Sequence, residues 1–101
     1  MKKIVNGRVY DTEAAELIAS WSYGDGPSDF HWYEEGLYRK GNGEFFLAGE
    51  GGAMSSYAEQ VSTHSWRGGS SVTPLTESDA RELAESHLDA DDYIELFGAE
   101  E

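Results

Sequence analysis

Residues 31–50 read His-Trp-Tyr-Glu-Glu-Gly-Leu-Tyr-Arg-Lys-Gly-Asn-Gly-Glu-Phe-Phe-Leu-Ala-Gly-Glu, and the rest of the fold is built around them. From His31 to Arg39, Tyr33 and Leu37 fall on one face of an extended chain and Trp32 and Tyr38 on the other. Lys40-Gly41-Asn42-Gly43 is a turn by composition. Glu44 to Glu50 is a second strand, with Phe45 and Leu47 opposed to Phe46 and Ala48. The two strands predict an antiparallel hairpin. This is also the densest apolar-aromatic stretch of the chain, so Leu37 and Phe45–Leu47 are the expected core.

Upstream, Lys2-Lys3-Ile4-Val5, Asn6-Gly7 and Arg8-Val9-Tyr10 predict a shorter hairpin. Asn-Gly supplies the two positive φ angles that a type I′ turn requires. Asp11 or Thr12 is an N-cap candidate with Glu13 in a first turn. Ala14, Leu17, Ile18 and Trp21 then recur at helical spacing, so a helix is expected over 12–21. Tyr23-Gly24-Asp25-Gly26-Pro27-Ser28 ends it.

Downstream, Gly49-Glu50-Gly51-Gly52 closes the second strand. A helical turn is expected within 53–60, a loop over the Ser/Gly-rich 62–71, and an edge strand at Ser71-Val72-Thr73 ahead of Pro74. Thr76-Glu77-Ser78-Asp79 is a capping box with Asp at its last position. Ala80, Leu83, Ala84, His87 and Leu88 trace one face of a helix over 77–88. Asp89-Ala90-Asp91-Asp92 caps a short last helix containing Tyr93, Ile94, Leu96 and Phe97, which Gly98 terminates. The expectation is one α+β domain over 1–101. A small antiparallel sheet, formed by the 2–10 and 31–50 hairpins, carries two to three helices packed on it.

Composition bounds the class. The 101 residues include no cysteine, so no disulfide scaffold is possible. Leu, Ile, Val and Phe number 18, and three Trp with six Tyr raise the bulky apolar residues to 27, an aromatic-heavy core for a small domain. No apolar run approaches a membrane span, and no apolar stretch follows Met1-Lys2-Lys3, so neither a membrane protein nor a signal peptide is expected. A cytoplasmic protein follows, and a monomer is expected.

There is no Gly-x-Ser-x-Gly elbow, and His64-Ser65 adjacency makes no triad. His31, His64 and His87 lack zinc-ligand spacing. Asp89-x-Asp91 with Glu100 at position twelve has the outline of a calcium loop. Tyr93 and Ile94, however, stand where an oxygen ligand and a glycine are required. Gly49-Glu50-Gly51-Gly52 and Gly68-Gly69-Ser70 have no P-loop Lys-Ser/Thr and are turn glycines. Glu34 and Glu35 are strand neighbours and point to opposite faces, so they form no acid/base pair. The aromatics Trp32, Tyr33, Tyr38, Phe45 and Phe46 lack the basic groove of a single-strand binder and are packing residues. No enzyme activity, cofactor or metal is expected.

Charge is the informative feature. Seven Lys+Arg against twenty Asp+Glu leave −13. Residues 1–76 carry ten acids and six bases, a net of −4; residues 77–101 carry ten acids and only Arg81, a net of −9. Direct nucleic-acid binding is excluded, because phosphate needs cations opposite it. One reading is a solvated helix face that maintains solubility. The other is a docking surface. Asp79, Glu82, Glu85 and Asp89 lie three or four residues apart, where helical Cβ atoms are about 5–6 Å from one another. Asp91, Asp92 and Glu95 extend the row, and Glu34 and Glu35 are further candidates. Such a string imitates the regular charge of a DNA backbone and fits a Lys/Arg-lined channel built for DNA.

Lys3-Ile4-Val5-Asn6-Gly7-Arg8-x-Tyr10-Asp11-Thr12-Glu13-x-Ala15-Glu16, Glu34-Glu35-x-Leu37-Tyr38-Arg39, Phe46-Leu47-x-Gly49-Glu50-Gly51-Gly52 and Pro74-Leu75-Thr76 resemble a family of small acidic proteins of bacteria and their mobile elements. Some members look like anti-CRISPR proteins, similar to inhibitors of type I effector complexes. The resemblance spans roughly residues 3–97 and is poorest over 53–72; its motifs are turn, cap and core residues. It implies an inhibitor acting in a bacterial host cytoplasm on a Cascade-like surveillance complex, mimicking DNA to block target binding. A restriction enzyme or toxin is the alternative target, and a non-inhibitory interaction domain the alternative role.

Overall fold

The computed structural model describes residues 1–98. In chain order its elements are β1 (Lys2–Val5), β2 (Arg8–Asp11), β3 (Glu16–Tyr23), β4 (Tyr33–Arg39), β5 (Phe45–Gly51), β6 (Glu59–Ser62), β7 (Ser65–Arg67), β8 (Gly69–Leu75), α1 (Glu77–His87) and α2 (Ala90–Phe97). The α+β class is as expected from sequence. All pairing is antiparallel, in three sheets: β1-β2, the four-stranded β3-β4-β5-β8, and β6-β7.

The 31–50 hairpin is the centre of the main sheet. β4 and β5 pair from Arg39 opposite Phe45 to Tyr33 opposite Gly51. Because β5 is apolar on both faces, the sheet must be covered on both. On one face Tyr10 of β2 is buried edge-on against Phe46, ring centroids 5.3 Å apart, with Ala48 and Val72 beside it. On the other, Leu37 and Phe45 pack against Ala80 and Ala84 of α1, and Phe97 of α2 closes over Phe45 at 5.6 Å. Leu47, expected in the core, is only half-buried.

The β1-β2 turn has Asn6 at φ 53° and Gly7 at φ 77°, the two positive values expected for it. The single sheet expected from the 2–10 and 31–50 hairpins is corrected: β1-β2 is a separate two-stranded sheet that packs on one face of the main sheet through Tyr10. Thr76 and Asp79 form the capping box reciprocally, and Asp89 caps α2 by accepting from the Asp92 amide at 2.9 Å. Gly98 ends α2 at φ 74°. β8 is an edge strand, longer than Ser71–Thr73, and it accommodates Pro74.

Three further expectations are corrected. The 12–21 segment is not a helix. Asp11 does cap, but it caps a tight turn, accepting from the Glu13 amide at 3.0 Å, and β3 follows. The register of β3 slips between Leu17 and Ala19. That bulge breaks the two-residue alternation and leaves apolar residues at spacings that imitate a helix. An eight-to-ten-residue helix gains little by itself, whereas β3 gains a full ladder with β4. Within 53–60 there are successive tight turns and then β6, not a helical turn. The expected 62–71 loop contains β7 and the start of β8. The β6-β7 ribbon is exposed along its length, and the molecule is elongated, 51 × 32 × 21 Å.

Candidate partner-binding surface

The acidic row is built by α1 and α2. Ala80 and Ala84 turn one side of α1 into the core, which leaves Asp79, Glu82 and Glu85 exposed on the outer side. At 1.5 Å rise per residue, these three carboxylates recur about every 4.5 Å along the axis. Asp89 stands at the junction of the helices. Tyr93 and Phe97 bury one side of α2, and Asp91, Asp92 and Glu95 lie exposed on the rest.

The distribution of cations is the second fact. Six of the seven Lys and Arg lie within 4.0 Å of a carboxylate: Lys2 with Asp11, Arg8 and Lys40 with Glu44, Arg39 with Glu16, Arg67 with Glu59, and Arg81 with Glu77. None of these pairs uses Asp79, Glu82, Glu85, Asp89, Asp91, Asp92 or Glu95. Arg81, the one cation of the region, has its guanidinium over the Phe97 ring, 4.8 Å from the centroid. The Tyr93 hydroxyl and then the Glu77 carboxylate hold Arg81 further above its ordinary range. Among the described residues, the outer row therefore has no cationic partner.

Local structure accounts for some of these acids. Asp79 and Asp89 are caps, and Asp91 and Asp92 occupy the first turn of α2, where the helix dipole favours negative charge. Glu82, Glu85 and Glu95 lie beyond the first turns and have no side-chain hydrogen bond or ion pair among the described residues. Like charge this close opposes folding, and among the described residues no Lys or Arg lies within 4.0 Å of them.

Glu34 and Glu35 belong elsewhere. Glu34 is exposed on the hairpin side of the sheet, directly opposite Glu50 across β4-β5. Glu35 faces the helix side and is used internally, accepting from the Trp21 indole at 2.9 Å and from the Tyr57 hydroxyl. Burial, then this carboxylate, pushes the Tyr57 hydroxyl well above its ordinary range. Tyr57 lies across Gly49, where any Cβ would meet its hydroxyl and ring. Trp21 in turn stacks on His87, ring planes 1° apart and centroids 3.6 Å apart. This network escapes a sequence reading, because Tyr57 falls in a segment without periodicity and Trp21 in one with misleading periodicity.

Among the described residues, no group of three His, Asp or Glu side chains is placed to hold a metal ion, and no helix is long and apolar enough to cross a membrane. Glu100, the twelfth position of the calcium-loop outline, lies outside the described residues. Comparison of the chain with protein-family models, curated proteins and solved structures finds no match.

Proposed function

We propose that this chain is an acidic inhibitor. Its α1-α2 surface occupies a Lys/Arg-lined DNA site of a nucleic-acid-handling complex, a type I CRISPR effector complex being the target the sequence resemblance favours. The observation that carries this reading is the row without cationic partners. Six of seven basic side chains are spent on other acids, while Glu82, Glu85 and Glu95 are left bare at a cost to folding. Solubility at net −13 would survive the loss of three charges. A channel that attracts DNA would also steer this surface toward it and speed the encounter. The protein acts by binding and needs neither catalysis nor cofactor. The test is displacement. The protein is added to a purified type I effector complex holding labelled target duplex, and release of the duplex in proportion to added protein is expected. Undiminished DNA binding at saturating protein would remove this target.

A further inference from the structure

We propose that the open edge of β3 is a second docking site, where an extended Lys/Arg-bearing segment of a partner protein adds to the sheet as a fifth strand. This site borders the acidic helix row and shares Asp92 and Glu95 with it, but it does not depend on what that row binds.

β3 is an outer strand of the four-stranded sheet, eight residues long, hydrogen-bonded only to β4. Among the described residues, no turn, loop or side chain bonds to its backbone on the free side. Natural sheet edges are commonly blocked with Lys, Pro or a bulge, and the bulge between Leu17 and Ala19 leaves Ala19–Tyr23 as the regular, unblocked part of this edge. β8, at the other edge, carries Pro74. The regular Ala19–Tyr23 stretch, with neither Lys nor Pro, is a template for strand addition.

The surroundings of β3 specify the occupant. On the helix side, a hollow of about 390 Å³ runs beside it, with Ile18, Leu88 and Leu96 as its apolar lining and Glu16, Asp92 and Glu95 as its acids. On the opposite side, a second hollow of about 310 Å³ is bordered by Leu17 and Ser20 of β3, by Tyr38, whose ring covers Gly36, and by Glu34 and Glu50. An added strand sends alternate side chains to the two faces, so one segment reaches both hollows. In each, apolar surface lies beside carboxylates. That combination suits Lys and Arg, whose aliphatic stems cover apolar surface while the charged head reaches an acid. The cation lining the first hollow is already engaged: Arg39 is held by Glu16 at 3.2 Å. A second copy of this chain is disfavoured as occupant by its own −13.

The experiment uses the full chain and two synthetic probes, a peptide of four Lys-Val repeats and the same peptide N-methylated along its backbone. The methylated probe keeps the charge and loses the strand hydrogen bonds. Backbone NMR with hydrogen exchange reads where each binds. The unmodified peptide is expected to perturb residues 16–23 and slow exchange of their amides, with the methylated peptide at least tenfold weaker. Asp92→Lys with Glu95→Lys, in a chain shown to be folded by its own spectrum, should weaken the unmodified peptide by a similar factor. Equal binding of the two peptides, perturbation confined to the outer side of α1, or no slowing at β3 would overturn the proposal. No DNA or effector complex is present, so this result and the displacement result are read separately.

Discussion

Arg81 lies with its guanidinium 4.8 Å from the centre of the Phe97 ring and its Nη2 3.5 Å from Glu77, turned toward α2, and among the described residues it pairs with neither Glu82 nor Glu85. The single basic residue after Thr76 thus fastens α1 to α2 and leaves the outer row at full charge. In this fold, charge compensation and helix packing use the same side chain, and Glu82, Glu85 and Glu95 are acids with which it makes no ion pair among the described residues.

Removing the uncompensated charge should stabilise the protein. Glu82→Gln, Glu85→Gln and Glu95→Gln together delete no cap and no ion pair. The triple variant should unfold at the same or a higher urea concentration than the parent at low salt. Because the repulsion is screened over about 8–10 Å at moderate ionic strength, the parent should gain more in Tm than the variant as salt is raised. Thermal scans of both proteins at two salt concentrations check this. By contrast Thr76→Ala, which breaks the capping box, should cost about 1 kcal/mol.

The core is asymmetric along β5. Phe46 is fully buried between Tyr10 and Tyr38, whereas Leu47 is half-buried. Phe46→Ala should cost about 3–5 kcal/mol and Leu47→Ala clearly less, measured as urea midpoints. Much of this was legible in residues 31–50, because a two-faced apolar strand between turn signals has few other uses. Capping residues and terminal glycines likewise marked both C-terminal helices. β3 was not legible: its bulge shifts Leu17 and Ile18 out of alternation, and only Ser20-Trp21-Ser22-Tyr23 keeps the strand period. β6 and β7 are exposed on both faces, so no hydrophobic pattern marks them. The acidic row was visible as composition, but its isolation from cations was not, since Arg81 lies four residues from both Glu77 and Glu85 and could have paired with either.

Gly49 should resist any side chain. A Cβ there would collide with Tyr57, which holds the segment after β5 against the sheet through Glu35. Gly49→Ala should cost about 1–3 kcal/mol as overpacking does. Once Tyr57 is truncated, the same change should cost little. Urea midpoints of Gly49→Ala, Tyr57→Ala and the double variant close the cycle, and additive losses would show that the two positions do not interact.

Acid should weaken the β2 layer through Glu44. The Tyr10 hydroxyl, and after it Lys40 and Arg8, hold this carboxyl below its ordinary range against an opposing effect of burial. A lowered folded-state value means that Glu44 stabilises the protein above the ordinary glutamate range, about pH 4.3. The contribution is lost as pH falls through the lowered value. Glu44→Gln should therefore be less stable than the parent at pH 7, and the gap should close as pH falls toward 3. Repulsion among the remaining acids changes in both proteins alike, so the difference in urea midpoint isolates Glu44.

The most direct measurement of DNA mimicry is competition by the parent and by the Glu82→Gln, Glu85→Gln, Glu95→Gln variant for labelled duplex on a type I effector complex, repeated at two salt concentrations. Exposed pairs contribute about 0.2–1 kcal/mol each, so three should weaken competition by about tenfold, with a shallower salt dependence than the parent's. A folded variant that competes as well as the parent, with the same salt dependence, would contradict mimicry and leave the α1-α2 row a solvated face.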